Sequence, residues 1–347
     1  MFIVKHGAIG AAIFCAASFN SAAQAQTPYY QGKTINVIIG SGVGGGYDVY
    51  GRLLAQFLGK HIPGNPRFIV ENRPGASTRT ATTYVSKIAP KDGTVIGNSV
   101  NTLPFDQFLY PKDKREYDLT KVQYIGNMAA LTGILVVNAS TGIKTIQELK
   151  TKEVVIGTNS KSSETYIVPA VLKEIGGYKL KVVHGFPGSV NEIDLAMERN
   201  EVSGRAGSWS GYTTLNPNWA NEGKLVPLVQ AGTQEASYLA GKGVPFLEDI
   251  AQNETEKAIY TAISMGSMFS RAYWVAPEVP AAQVAILRTA FDSLMKDPDF
   301  LKWCASRSIE ITPSNGAEVN QSLKKMEAMI GSLKPNELEL LQNILRE

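Results

Sequence analysis

The chain has 347 residues, with 34 Lys and Arg against 31 Asp and Glu and a formal net charge of +3. That balance excludes the strongly basic surfaces that drive nucleic-acid or membrane-surface binding, and the length suits two domains of ordinary size. Two cysteines, Cys15 and Cys304, and three histidines, His6, His61 and His184, form no cluster with metal-ligand spacing, so neither a metal nor another cofactor is expected.

The chain opens with Lys5 and His6, an apolar run from Gly7 to Phe19, and then Ala23-Gln24-Ala25. This order predicts a cleavable secretory signal peptide over 1–25, with Gln26 as the mature N-terminus and the periplasm as destination. The apolar run falls short of the about 20 residues that a membrane span needs. Phe14, ahead of Cys15, is too large for a lipoprotein processing site. Once Cys15 is removed, no intrachain disulfide can form.

Strands and helices then alternate. Ile35–Ile39 is a continuous apolar run, as expected of a strand covered on both faces. Leu53, Leu54, Phe57 and Leu58 share one face of the helix behind it. Arg67–Glu71 reads as the next strand, Thr78–Ile88 as a helix, and Thr94–Gly97 as a strand opened by the turn Pro90-Lys91-Asp92-Gly93. Ile134–Val137 and Val154–Gly157 are later strands, with a short helix Thr145–Lys152 between them and Ser163–Ile175 after the second. Lys181–His184 is a strand, Val190–Arg199 a helix, Glu201–Gly204 a short edge and Leu225–Gln230 an apolar strand. Helices follow at Ala281–Met295, Asp299–Ser306, Ala317–Ser332 and Asn336–Arg346. The alternation predicts an α/β fold with parallel sheets. The absence of a low-complexity linker suits two domains joined by segments that cross between them.

The first strand runs into Gly40-Ser41-Gly42-Val43-Gly44-Gly45-Gly46-Tyr47-Asp48. Glycines permit positive φ and close approach, so successive N–H groups can converge on an anion. The helix starting near Tyr47 adds the positive end of its dipole. A hydrogen bond to a charged group is worth roughly 1.5–3 kcal/mol, so about four would hold a carboxylate at micromolar affinity without an arginine. The turn also satisfies the dinucleotide pattern G-x-G-x-x-G. Asp48 in the first helical turn, a long spacing to Glu71 and the export signal count against that reading. A purely structural turn is the third possibility. Asp48 itself is expected to be structural, complementing the helix start.

Further polar turns end later strands: Ser99 and Asn101; Thr158-Asn159-Ser160-Lys161-Ser162-Ser163; and His184-Gly185-Phe186-Pro187-Gly188-Ser189. Ligands of open α/β sheets bind beyond such strand ends, so these turns are expected to share one cleft, although their hydroxyls would also serve as helix caps. Ser41, Gly42, Val43, Gly44, Gly45, Gly46, Tyr47, Ser99, Thr158, Asn159, Ser160, Ser162, Phe186 and Ser189 are the candidate ligand contacts. Arg205 and Trp209 are candidate tuning residues, the first for a distal carboxylate and the second as a stacking wall; Arg271 and Arg79 are further candidates. Gly207-Ser208-Trp209-Ser210-Gly211 imitates a hydrolase elbow, but its centre is Trp209 rather than Ser. With His184 lacking an evident partner acid, no enzyme is expected.

The stretches Gly44-Gly45-Gly46-Tyr47-Asp48 with Arg52, Val70-Glu71-Asn72-Arg73-Pro74-Gly75-Ala76, Pro90-Lys91-Asp92-Gly93-Thr94, Gly157-Thr158, Gly188-Ser189 and Val275-Ala276-Pro277 with Pro280 occur in this order and spacing. In these, the chain from about Tyr29 to about Lys325 resembles the Bug, or TctC-like, extracytoplasmic receptors of tripartite tricarboxylate transporters. The resemblance implies a two-lobed Venus-flytrap fold of the periplasmic-binding-protein kind (type II-like), with a carboxylate held in the cleft between lobes. Binding would use backbone and hydroxyl groups of the first glycine turn and of Thr158–Ser163, and delivery would be to membrane permease subunits. The expected lobes are 26–130 plus 245–347, and 131–244. A periplasmic sensor subunit presenting its ligand to a sensor kinase is the alternative; a Rossmann-type oxidoreductase is more remote. Ser77 stands where the family commonly has glycine after Ala76, and His184-Gly185-Phe186 replaces a usual Val-Pro-Tyr, so the identity of the acid is not legible.

Overall fold

The computed structural model describes residue 1 and residues 27–186, 190–209, 212, 218–219 and 222–346. All but the first residue of the expected signal peptide, and Ser189, therefore lie outside the described residues. Strands are numbered in chain order. β1 (Thr34–Ile39) pairs in parallel with β2 (Arg67–Asn72) on one side and β3 (Val95–Asn98) on the other. The sheet continues through β10 (Ala272–Val275) and β4 (Gln123–Asn127) to the two-residue β11 (Ser314–Asn315), all paired antiparallel. The second sheet has the order β7 (Leu180–Val183), β6 (Val154–Gly157), β8 (Gly204–Ser208), β5 (Gly133–Asn138), β9 (Leu225–Ala231). Here β6 runs parallel to β7 and β8, while β5 runs antiparallel to β8 and β9.

Both sheets are therefore mixed, not purely parallel as the strand–helix alternation suggests. The chain returns to the first sheet at β10 after completing the second, and a strand arriving that way enters against its neighbours. A close fit fixes its place: Trp274, fully buried, lies opposite Gly97 in the pairing with β3, and a Cβ on Gly97 would stand 2.9 Å from the indole. The segment expected as a short edge over Glu201–Gly204 is instead followed by a central strand, β8. Gly204 allows this, because any side chain there would collide with the Val136 carbonyl of β5. The helix expected over Thr78–Ile88 is divided: Arg79–Thr83 is α-helical, and Tyr84–Ile88 widens to π geometry.

Each sheet is covered by apolar faces of its helices. The helix Gly46–Phe57 buries Tyr50, Leu53 and Leu54 with Ile35, Val37 and Ile39 of β1, together with Leu287 and Phe291 of the helix Ala281–Leu294. In the second unit, the helix Glu164–Glu174 buries Val168, Val171 and Leu172 with Leu135 and Val137 of β5. The C-terminal helix Pro335–Leu345 ties both units. The Ile344 carbonyl accepts from the Tyr166 hydroxyl (3.1 Å), the Gln342 carbonyl accepts from the Tyr110 hydroxyl (3.0 Å), and the Gln342 side chain donates to Leu109 O (2.6 Å). Among the described residues no helix is long and apolar enough to cross a membrane.

Candidate functional site

The ends of β1, β2 and β3 face the ends of β6, β7 and β8 across a cavity of 440 Å³, within the range of small-molecule sites. The glycine turn forms one wall through Gly40, Ser41, Gly42, Gly45, Gly46 and Tyr47. Its shape is set by Asp48, which is only 2% exposed. That carboxylate accepts hydrogen bonds from Gly44 N–H (2.9 Å), Arg52 Nε (2.9 Å) and Asn72 Nδ2 (2.9 Å), while Asn72 also donates to Ser41 O (3.0 Å). Burial disfavours the ionised Asp48, but Arg52, the Gly44 amide and Asn72 outweigh it and hold the carboxyl below its ordinary range. Gly44 adopts φ +83° and spends its N–H on Asp48 rather than on the cavity. Val43 is 69% exposed and sits outside.

Tyr47 ties the turn to the end of β3. Its hydroxyl donates to Asn101 Oδ1 (3.1 Å) and accepts from Asn101 N–H (2.9 Å). Arg271, at the start of β10, lays its guanidinium over the rings of Tyr47 (4.4 Å) and Tyr50 (4.8 Å) and also lines the cavity. It is 4% exposed, donates from Nη1 to Ser270 O (2.5 Å), and leaves Nε buried without a partner among the described residues. A Cβ on Gly46 would stand 2.6 Å from Arg271 Nη2, so glycine at the helix start is what admits this arginine.

The opposite wall holds Asn159, Ser160 and Phe186 from the expected turns, with Ser163, Glu164 and Thr165 beside them. Asn159 is fixed by donating to Phe186 O (2.7 Å) and, from its N–H, to Thr165 Oγ1 (3.0 Å). Thr158 is fully buried behind them, its hydroxyl within 3.0 Å of His184 Nδ1. His184 packs on Tyr166, and burial lowers its pKa, with Lys161 and Lys173 acting in the same direction. Arg205 reaches the cavity from β8, wholly buried and held at two points by Asp194 (2.5 and 3.1 Å), with its guanidinium 4.0 Å from the Tyr212 ring. Ser99 and Ser162 are buried beside the wall rather than on it. Trp209 is 5% exposed and stacks on Tyr238 at 4.6 Å, in the core cluster behind Gly207 and Ser208, which do line the cavity. Arg79 lies away from it and pairs with Asp106 (3.0 Å).

One wall is not among the candidate ligand contacts, although Ser77 stands out as a departure from the family's usual glycine. After β2, Gly75, Ala76, Ser77 and Thr78 all have positive φ (140°, 46°, 49° and 70°), and all line the cavity. Such a run is a left-handed turn that brings the backbone of 75–78 to the cavity. Three of the four are not glycine, and left-handed backbone costs such residues free energy that the surroundings must offset. The offset is visible. The Ser77 hydroxyl meets Ser162 Oγ (2.5 Å) and Ser160 Oγ (3.0 Å) from the other side of the cavity, and Thr78 Oγ1 accepts from Val100 N–H (3.1 Å). Pro74-Gly75 was the available signal for a turn; nothing in the sequence signals the three residues after it. Glu164, also missed, borders the cavity at the start of its helix. Among the described residues no group of three His, Cys, Asp or Glu is placed to hold a metal ion.

Residues 52–159 match the family described as the tripartite tricarboxylate transporter family receptor. That match takes in about a third of the chain. A UPF0065 protein of Cupriavidus necator is 33% identical over 179 residues, covering 51% of this chain and 46% of the relative. A second, from Bordetella bronchiseptica, is 30% identical over 168 residues, 46% of this chain and 47% of that protein. The chain thus spans about half the length of the curated relatives it matches. Among solved structures, a periplasmic transporter superposes with a TM-score of 0.68 at 21% identity, covering 90% of this chain and 99% of that one. A Rhodopseudomonas palustris protein with adipate gives 0.66 at 17% identity, covering 90% and 97%. MatC of the same organism, with bound malate, gives 0.63 at 16%, covering 86% and 98%. At these identities the likeness shows the fold: an α/β, two-lobed periplasmic-binding-protein fold.

Proposed function

We propose that this chain is an extracytoplasmic solute-binding receptor that captures a small organic acid between two lobes, 26–130 plus 245–347 and 131–244, and delivers it to the permease of a tripartite tricarboxylate transporter. The observation that carries this reading is the pairing of two backbone turns, Gly40–Gly46 and Gly75–Thr78, with the buried Arg271 around one cavity between the sheets. Backbone amides and a buried guanidinium both favour negative charge. Ser41, Gly42, Gly45, Gly46, Tyr47, Asn159, Ser160, Phe186 and Arg205 are the sequence-derived contacts that line this space. Ser99, Thr158, Ser162 and Trp209 are buried behind this lining, Gly44 gives its N–H to Asp48, and Val43 is exposed. The adipate and malate held by two proteins of the same fold indicate the chemical class to try first.

Calorimetric titration with adipate, malate and NAD tests the reading. One or both acids are expected to bind at about micromolar affinity, near 8 kcal/mol, with one site per chain and no turnover, and NAD is expected not to bind. Saturable NAD binding with no response to either acid would overturn it in favour of a dinucleotide site.

A further inference from the structure

Among the described residues, three acidic or basic side chains border the cavity: Arg205, Arg271 and Glu164. Arg205 is already neutralised by the two-point contact with Asp194. Arg271 and Glu164 remain, of opposite sign, so the ionised set is neutral before any ligand enters. An organic anion then brings negative charge into a partly dry space, where it acts on Glu164 several-fold more strongly than it would in water.

Glu164 is placed to answer that charge. An acid in the first turn of a helix normally gains from the dipole by staying ionised, and Glu164 begins the helix Glu164–Glu174. Its carboxyl nevertheless turns inward, with Oε1 beside Gly133, where a Cβ would stand 3.0 Å away. It borders the main cavity and a smaller one formed with Asn101, Thr102 and Ser267. Burial pushes this carboxyl above the ordinary range, although Arg271, Arg205 and the Asn101 side chain all pull it down. The charged and titratable groups facing it are Arg271 before β10, Arg205 on β8 with Asp194 behind it, Tyr47 from the first helix, and Tyr212. Burial keeps both tyrosine hydroxyls protonated. His184 turns away to Thr158 and Tyr166.

We propose that Glu164 couples capture to a proton: an organic anion enters the cleft together with one proton, which adds from solvent to a Glu164 carboxylate oxygen. This rests on the receptor reading above. The sign follows from linkage. The bound anion favours protonated Glu164, so the group titrates at a higher pH in the complex than in the free protein. Below the free-protein value affinity does not depend on pH. Between the two values it falls by up to about tenfold per pH unit, and above the bound value it is flat and weak. Protonated Glu164 also keeps its place as a donor to the ligand, which an ionised carboxylate cannot be.

The test is titration calorimetry with adipate and malate from about pH 6.5 to 9, where both acids are already ionised, in two buffers of different protonation enthalpy. Wild type is expected to take up as much as one proton per acid bound, with Kd rising by up to about tenfold per pH unit. Glu164→Gln, which mimics the protonated group, is expected to take up none and to bind about tenfold or more tighter than wild type at the alkaline end. Wild-type binding without proton uptake or pH dependence overturns the proposal while leaving the receptor reading intact. Weaker binding by Glu164→Gln with the slope unchanged also overturns it. Failure of both proteins to bind either acid at any pH instead removes the receptor reading, and this inference with it.

Discussion

Asp194→Ala is expected to lower folding stability by about 3–5 kcal/mol, because it leaves a wholly buried guanidinium without its counter-charge. Arg205 is 0% and Asp194 4% exposed, and the contacts of 2.5 and 3.1 Å are charge-assisted and two-pronged. Tyr212 contributes its ring face at 4.0 Å and donates its hydroxyl to Arg205 O (3.0 Å), but neither contact replaces an anion. The pair joins the helix Asn191–Glu198 to the middle strand of the second sheet, so the loss should appear in the main cooperative transition. Replacing both members, Asp194→Ala with Arg205→Met, should recover much of the loss, since a well-packed apolar pair often equals a buried ion pair. Urea unfolding followed by far-UV circular dichroism measures both variants. A single variant as stable as wild type would show that the ion pair does not hold this lobe.

Gly40→Ala is expected to reduce acid affinity by tenfold or more, about 1.4 kcal/mol. A methyl at Gly40 would collide with Thr78, standing 2.8 Å from its Cγ2 and 3.0 Å from its Cα. Rotating the threonine cannot relieve this, because its backbone is part of the obstruction. Thr78 is also anchored, through Val100 N–H on its hydroxyl and through the Thr82 hydroxyl on its carbonyl (2.9 Å). The strain passes to residues 75–78, which form a cavity wall, at an overpacking cost of about 1–3 kcal/mol. Thr78→Gly in the same chain removes the side-chain part of the clash and should restore part of the affinity. Thermal melts and acid titrations of both variants separate a binding effect from a folding effect. Unchanged affinity in Gly40→Ala would remove the Gly75–Thr78 turn from the site.

Those two substitutions also mark where the sequence was legible. The β1 run and the glycine turn after it are encoded locally, the strand by continuous apolar residues and the turn by residues that tolerate positive φ and close contact. The role of Asp48 as an organiser was also legible, as an acid in the first turn of a helix. β10 was not, because Ala272-Tyr273-Trp274-Val275 is placed by pairing partners far away in sequence, with Gly97 opposite Trp274. β8 was misread because Gly204, Arg205 and Gly207 carry little strand propensity. Only tertiary burial makes that segment a central strand. The helix Glu254–Ser264 likewise escaped the pattern reading, although Asn253 caps it through Glu256 N–H (2.9 Å).

Within the candidate site the division is the same. Backbone features carried by glycine were readable. The left-handed run Ala76-Ser77-Thr78 was not, since its geometry is imposed by contacts with Ser162, Ser160 and Val100. Glu164 carries no local signal of a place in the site, and only the fold brings it near Arg271 and Arg205. Arg205 was expected as a ligand contact. It reaches the cavity, but Asp194 occupies two of its donors, so Arg271 is the cation better placed to meet an acid.

The central claim, that the cleft holds a small organic acid by its backbone turns and Arg271, is tested most directly by native mass spectrometry. The protein would be purified without unfolding from cells grown in rich medium, and the released molecule identified. The account predicts one small carboxylate per chain, displaced by excess adipate or malate and lost from Gly40→Ala. A nucleotide in its place, or an acid retained equally by Gly40→Ala, would contradict it.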